Sequence, residues 1–453
     1  MAGRVNTPAP VADPRPKSDV AGAVGLVGLL GLAVWVAFCH FWPEIVDTFA
    51  LNSPRERLTG PNAALMGLIF CALPMVLWSV LVEKVHLRAS TGIDWQTKRP
   101  LASVVDISIT KLAGLWATWA IIGFLYCLFR WYWDGPYQVA MTVLGWSAVP
   151  LFLLSVPYVL WLDRVLVEPR DACWHFGAWL IGREAHDPAQ IAIHLRAWAV
   201  KGFFTAFMIS IVPGGFADLV GRDWSGIWRD PVAIAGLLVL MMFVVDEQIG
   251  TVGYILTMKP LDAQIRSANP FLAGWVAALM CYPPFQMMNQ GGPLFYEAAT
   301  ADWTWWLQGQ TVLLWIWAAL LVTLTGIYAS ATVAFGMRFS NLTYRGVLTH
   351  GPYRWTRHPA YLSKNLFWWL ATMPFFVTNG STTDAVRNAV CLAGVSAIYF
   401  WRAKTEEKHL LSEDAKYREY HAWMDRNPTV TRFINRLLAG LKPQRGAVVQ
   451  PAE

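Results

Sequence analysis

VAGAVGLVGLLGLAVWVAFCHF, residues 20–41, runs for 22 positions without an acidic or basic side chain other than His40. The hydrocarbon core of a bilayer is about 30 Å thick and takes about 20 apolar helical residues. The stretch is too long for a signal-peptide core and further apolar stretches follow it, so it reads as a retained helix. Nine more segments have a similar character, over residues 63–82, 110–129, 139–162, 197–216, 232–257, 270–289, 311–335, 360–379 and 386–401. The expected fold is all-α, a polytopic integral membrane bundle of about ten spans with a cytoplasmic C-terminal helical tail. The composition agrees. Of 453 residues, 55% are hydrophobic and only 15% charged, against about 25% charged in soluble domains. That balance excludes intrinsic disorder and argues against a soluble enzyme.

Charge orients the bundle. With the N-terminus in the cytoplasm, 29 of the 36 Lys and Arg fall on inner segments and six on outer loops, while Lys364 lies inside a span. This predicts an N-in, C-in topology by the positive-inside rule, and it accounts for the net charge of +6 without nucleic acid. Cys39, Cys71, Cys127, Cys173, Cys281 and Cys391 are far apart, without a CxxC pair, and read as small apolar filler rather than a disulfide framework or metal site. Trp303, Trp305 and Trp306 read as an interfacial belt. Residues 1–18 read as a disordered arm, 19–300 as a multi-span membrane domain of unknown role, 301–442 as a second membrane core with its tail, and 443–453 as a flexible end. Within the tail, 427–441 has the apolar spacing of a helix lying on the membrane surface. Asp246 and Glu247 fall in the sixth apolar stretch, where charge is costly. The expectation is a helix break at Gln248-Ile249-Gly250 that leaves both at an interface.

Two polar stretches stand beside the last spans. The first is LTYRGVLTHGPYRWTRHPAYLSKNLFWW, residues 342–369. Gly351-Pro352 predicts a turn. Pro359 holds His358 extended and suits the first position of a helix, so His358 is expected to cap the ninth span. Free N–H groups at a helix start, with Arg354 and Arg357 nearby, suit an anionic group such as a carboxylate. The second stretch is YFWRAKTEEKHLLSEDAKYREYHAW, residues 399–423. Arg402, Glu406 and His409 share a helical face there.

GPYRWTRHPAY, followed some forty residues on by RAKTEEKHLL and YREY, resembles the isoprenylcysteine carboxyl methyltransferases and the related phospholipid methyltransferases. These are integral membrane enzymes that use S-adenosylmethionine. The resemblance covers roughly residues 305–436, and residues 1–300 resemble nothing recognised. It implies that His358, Pro359, Ala360 and Tyr361 bind the cofactor, with Tyr353 as an aromatic contact and Glu406 as a carboxylate contact. Arg345, Gly346, Val347 and Leu348 take the place of main-chain cofactor contacts, and Arg402 that of a substrate-contacting, catalytic arginine. The sequence departs from the pattern where Arg345 and Gly346 replace His and Thr, and where Arg338 replaces an uncharged polar residue. Lys364 and Asn365 stand where small residues are usual, and they are expected to line the substrate side.

Methyl transfer from a sulfonium is an in-line displacement with a neutral leaving group, so it requires alignment and exclusion of water more than acid catalysis. A carboxylate acceptor needs no general base. An amine acceptor needs one, for which Glu407 or His409 is the candidate. The implied partner is a membrane lipid or lipophilic small molecule: an isoprenoid, a prenyl-thioether carboxylate or a phospholipid. It would enter laterally, with the cofactor entering from the cytoplasm. The lack of a cleavable signal suggests a bacterial inner membrane. Two other readings are an NADPH-dependent membrane reductase of sterol type, and a transporter or sensor with a vestigial methyltransferase-like tail.

Overall fold

The structure is a computed structural model that describes residues 15–183, 185–427 and 429–440. The expected flexible end at 443–453, most of the expected arm (1–14) and Leu441 of the surface helix lie outside the described residues.

The protein is mainly helical. Seven helices are long and apolar enough to cross a membrane. They are α1 (Gly22–His40), α3 (Pro61–Leu77, continued by a wider turn to Val82), α4 (Leu101–Leu128), α5 (Tyr137–Asp163), α7 (Pro188–Gly221), α8 (Pro231–Ile255) and α11 (Thr311–Phe335). Their lipid-compatible exteriors explain why large apolar side chains such as Trp146 and Leu313 are exposed. Short helices α2 (Trp42–Thr48), α6 (Ala172–Leu180), α9 (Leu272–Leu279) and α10 (Trp303–Trp306) lie between them. The chain ends in α12 (Pro359–Thr372), α13 (Thr382–Glu413), α14 (Ala415–Arg426) and α15 (Val430–Gly440).

Three expected spans differ. The segment 270–289 is helical only over α9, eight residues long. Pro283 and Pro284 follow, and proline can neither donate a helical hydrogen bond nor clear the preceding turn. With 14 residues, α12 is about 21 Å long, short of a bilayer core. The 32 residues of α13 carry Asp384, Arg387 and Asn388 in the first turns and continue unbroken into the charged stretch at 402–413. The expected break at Gln248-Ile249-Gly250 is also absent. Helix α8 runs on to Ile255 and buries Gln248, whose Nε2 donates to Ala64 O at 3.1 Å. Asp246 is satisfied inside the bundle, accepting from Tyr328 OH at 2.6 Å and from the Thr332 hydroxyl of α11. Of the tryptophans at 303–306, Trp303 is buried and Trp305 exposed.

Several features tie the first 300 residues to the rest. Helices α8 and α11 lie side by side. Strand β1 (Ser267–Ala268) pairs antiparallel with β2 (Thr343–Tyr344), Ser267 opposite Tyr344. All six cysteines are free.

Candidate active site

Strand β2 leads into a strip without regular structure, residues 345–348, which forms one wall of a cleft. The opposite wall is the α12–α13 hairpin. Pro359 stands at the first position of α12, as its fixed φ favours, and leaves His358 just outside the helix. The space between these walls is about 1260 Å³, counting the open solvent at its mouth.

Arg345, Gly346, Val347, Leu348, Tyr353, His358, Ala360, Tyr361 and Glu406 all line this one cleft, with Arg402, Lys364 and His409. Pro359 does not line it and acts through the helix start. Arg402 is buried between the rings of Tyr282, Tyr361 and Tyr399, its guanidinium carbon 5.0–6.0 Å from their centroids. Its Nη2 donates to Asn341 Oδ1 at 2.5 Å and its Nε lies 3.4 Å from Glu406 Oε1. Tyr361 OH donates to that same Glu406 oxygen. One turn of α13 thus presents an arginine and a carboxylate together, as the i, i+4 spacing requires. Lys364 lies over the rings of Tyr328, Trp368 and Tyr399 at 5.2–5.9 Å.

Two expected site residues stand elsewhere. Glu407, expected as a base, lines a second, largely apolar cavity on the far side of His358 and Tyr361. Its carboxylate is claimed by Arg357 Nε at 3.0 Å, His358 Nε2 at 3.1 Å and Lys404 Nζ at 2.7 Å. Burial opposes the charge, but the His358 hydrogen bond, with Arg357 and Lys404, holds the carboxyl well below the usual range. Such a group is a poor proton acceptor, and it faces away from the cleft. Asn365, expected on the substrate side, also lines the second cavity, donating its amide to Tyr361 O at 2.7 Å. His409, the other candidate base, is pushed down to about 4 by burial, with Arg196 adding to the effect, and its Nε2 lies 2.9 Å from Ser267 Oγ.

The guanidinium of Arg345 takes no part in the cleft chemistry. It is saturated by the carbonyls of Gly253, Leu256, Ala263, Met337 and Phe339. Burial pushes its pKa down to about 9, so it remains a cation at neutral pH. Only its main chain is available to a ligand. Sequence reasoning missed Tyr282, Asn341 and Tyr328, which line the cleft. A tyrosine near a span end looks the same whether it meets lipid headgroups or a buried arginine, so no local signal marks them.

Residues 312–412 match the isoprenylcysteine carboxyl methyltransferase (ICMT) family. The matched segment takes in α11, the strip, α12 and most of α13, so it contains both walls of the cleft. A membrane methyltransferase is what this family implies. Among curated proteins and solved structures, none matches the chain.

Proposed function

We propose that the protein is an integral membrane S-adenosylmethionine-dependent methyltransferase acting on a lipophilic acceptor that carries a carboxylate. One observation carries the reading: the ICMT-family segment gathers Tyr361, Glu406 and Arg402 into a single hydrogen-bonded row beside the strip at 345–348. The residues suit the cofactor. Glu406 would hold its amine or ribose hydroxyls, and the start of α12 at His358 would hold its carboxylate, by the N–H groups a helix leaves free. The main chain of Gly346 and Leu348 would hold the base. Bound S-adenosylmethionine supplies an electrophilic methyl on a sulfonium. Arg402 would orient the acceptor's carboxylate through its planar fork, with Lys364 adding charge from α12. The aromatic lining of Tyr282, Tyr361 and Tyr399 would exclude water from the reacting atoms.

A carboxylate acceptor is favoured over an amine because the cleft offers no good base. Glu407 is turned away and held by Arg357, Lys404 and the His358 imidazole, and His409 binds a proton weakly. The apolar chain of the acceptor would lie in the second cavity, between α12, α13 and α15, where Leu362, Phe400 and Ile434 stand. The cleft is proposed to face the cytoplasm. In support, Asp19 before α1 pairs with Lys416 of the tail, which puts both ends on one side of the bundle. That is the side the basic residues assign to the cytoplasm.

The test is calorimetric binding of S-adenosylmethionine to the detergent-purified protein, wild type against Glu406→Ala and His358→Ala. Micromolar binding is expected, abolished by Glu406→Ala and weakened by His358→Ala, which keeps the main-chain N–H groups but loosens the start of α12. Folded wild type that binds no S-adenosylmethionine but binds NADPH would replace this reading with the reductase. Labelled-methyl transfer to lipophilic acids would then identify the acceptor.

A further inference from the structure

Residues 15–20 run along the back of the strip that lines the cleft. Asp19 N donates to Val347 O at 2.9 Å, and Val347 N donates back to Asp19 Oδ2 at 2.7 Å. Lys416 of α14 pairs with the other carboxylate oxygen. Arg88 Nη1 donates to Asp19 O at 3.0 Å. Neighbouring contacts continue the seam: Thr349 Oγ1 donates to Pro16 O at 2.8 Å, and His350 Nδ1 lies 2.9 Å from Ser18 Oγ. Burial works against the charge on Asp19, but the Lys416 and Val347 hydrogen bonds keep its pKa below the usual range.

Val347 therefore turns both its main-chain groups to Asp19. The main-chain groups of Gly346 and Leu348 have no hydrogen-bond partner among the described residues, and both residues line the cleft. The strip has one edge held and one edge open. Gly346 shows how closely the held side is packed. Its φ is +114°, and a Cβ there would lie 2.6 Å from Arg338 Nη1 and 3.0 Å from Asp19 Oδ2. A glycine is required where the resemblance leads one to expect threonine, because Asp19 and Arg338 fill the space behind it. Arg338 in turn donates to Arg345 O at 3.1 Å and pairs with Asp262 at 2.6 Å.

We propose that Asp19 is a positioning residue for the cofactor: it fixes the strip at Val347 so that the main chain of Gly346 and Leu348 meets S-adenosylmethionine. The inference rests on the methyltransferase reading above. It gives the segment before α1 a task that neither the ICMT-family segment nor the cleft lining records. A carboxylate accepting a main-chain N–H forms a charge-assisted bond, the stronger kind. Losing it frees the strip on its held edge, and ligand binding must then supply the order.

The test uses the full chain in detergent. Calorimetric affinity for S-adenosylhomocysteine and deuterium uptake by mass spectrometry are measured for wild type, Asp19→Ala, Asp19→Asn and Lys416→Met. Asp19→Ala is expected to weaken binding about tenfold or more, the worth of one charge-assisted hydrogen bond, with faster uptake confined to 345–349. Asp19→Asn keeps an oxygen for Val347 N and should recover most of the affinity. Lys416→Met should weaken binding by less, in the same direction, and carries the test if Asp19→Ala fails to fold. Wild-type affinity in Asp19→Ala, or in both remaining variants where it does not fold, would overturn the proposal. So would a loss of affinity with uptake raised throughout the bundle, which marks general destabilisation. Wild type that binds no S-adenosylhomocysteine would instead overturn the methyltransferase reading itself, and the inference with it.

Discussion

Replacing Glu407 separates a brace from a base. The carboxylate is buried and takes contacts from Arg357, His358 and Lys404. The Lys404 side chain is 41% exposed, and such a pair is worth about 0–1 kcal/mol. The Arg357 side chain is 2% exposed, and stripping one partner from a buried pair costs about 3–5 kcal/mol. Arg357 keeps Asp425 at 3.2 Å, which lowers that cost, and glutamine keeps one oxygen for His358. We therefore expect Glu407→Gln to lose about 2–4 kcal/mol of unfolding free energy, while methyl transfer per folded molecule stays within about tenfold of wild type. The sign of the pH dependence follows from the depressed folded pKa. The stabilisation is fully present above the ordinary glutamate value of 4.5 and is lost as pH falls below it, so the variant should lose less stability than wild type between about pH 4.5 and 3. The assay is denaturant unfolding in detergent at several pH values, with a double-mutant cycle against Arg357→Met. A coupling energy below about 0.5 kcal/mol would refute the brace. A hundredfold loss of turnover with unfolding unchanged would restore Glu407 as a base.

Arg402→Lys should keep S-adenosylmethionine affinity within a few-fold but lower transfer to a lipophilic carboxylate by about 10–100-fold, read as turnover against calorimetric affinity; equal losses in both would place Arg402 on the cofactor. Gly346→Ala should cost about 1–3 kcal/mol for a side chain at φ +114°, measured by thermal unfolding. His409, held down to about 4 by burial and Arg196, resists protonation in the folded state. Wild type should lose stability as pH falls from about 6.5 to 4, and His409→Gln should flatten that slope; an unchanged slope would assign it to other groups.

The membrane class was legible because lipid selects for unbroken apolar length, which a single stretch such as 20–41 displays by itself. The helices α12 and α13 were legible by their ends, marked by Pro359 and by the charged run from Arg402, but neither is among the seven helices long and apolar enough to span. The segment 270–289 misled because its apolar content matched a span while Pro283 and Pro284 ended the helix early. At Asp246 the error ran the other way. A buried acid suggested a break, but Tyr328 and Thr332 on a helix some eighty residues away satisfy it. Local periodicity carries no information about a partner at that distance.

The cleft repeats this division on a smaller scale. Arg402, Glu406 and Tyr361 were legible because helical spacing and the HPAY motif place them, and the structure joins them at Glu406. What the spacing could not show is which side of α13 each carboxylate faces. Glu406 and Glu407 are neighbours in sequence, about 100° apart around the helix, and that rotation sends one to Tyr361 and the other to Arg357. Arg345 shows the other limit. Its charge does not serve the cleft: five carbonyls, three of them from residues 253–263, use up its donors. Its departure from the family's histidine is explained by those carbonyls. A fork of five donors can cross-link the end of α8 to the strip, whereas an imidazole with two cannot. Arg345 thus ties the strip to residues 253–263, and Asp19 ties it to the segment before α1. Both ties fix the closed edge of the strip against the first 300 residues, and its other edge faces the cleft.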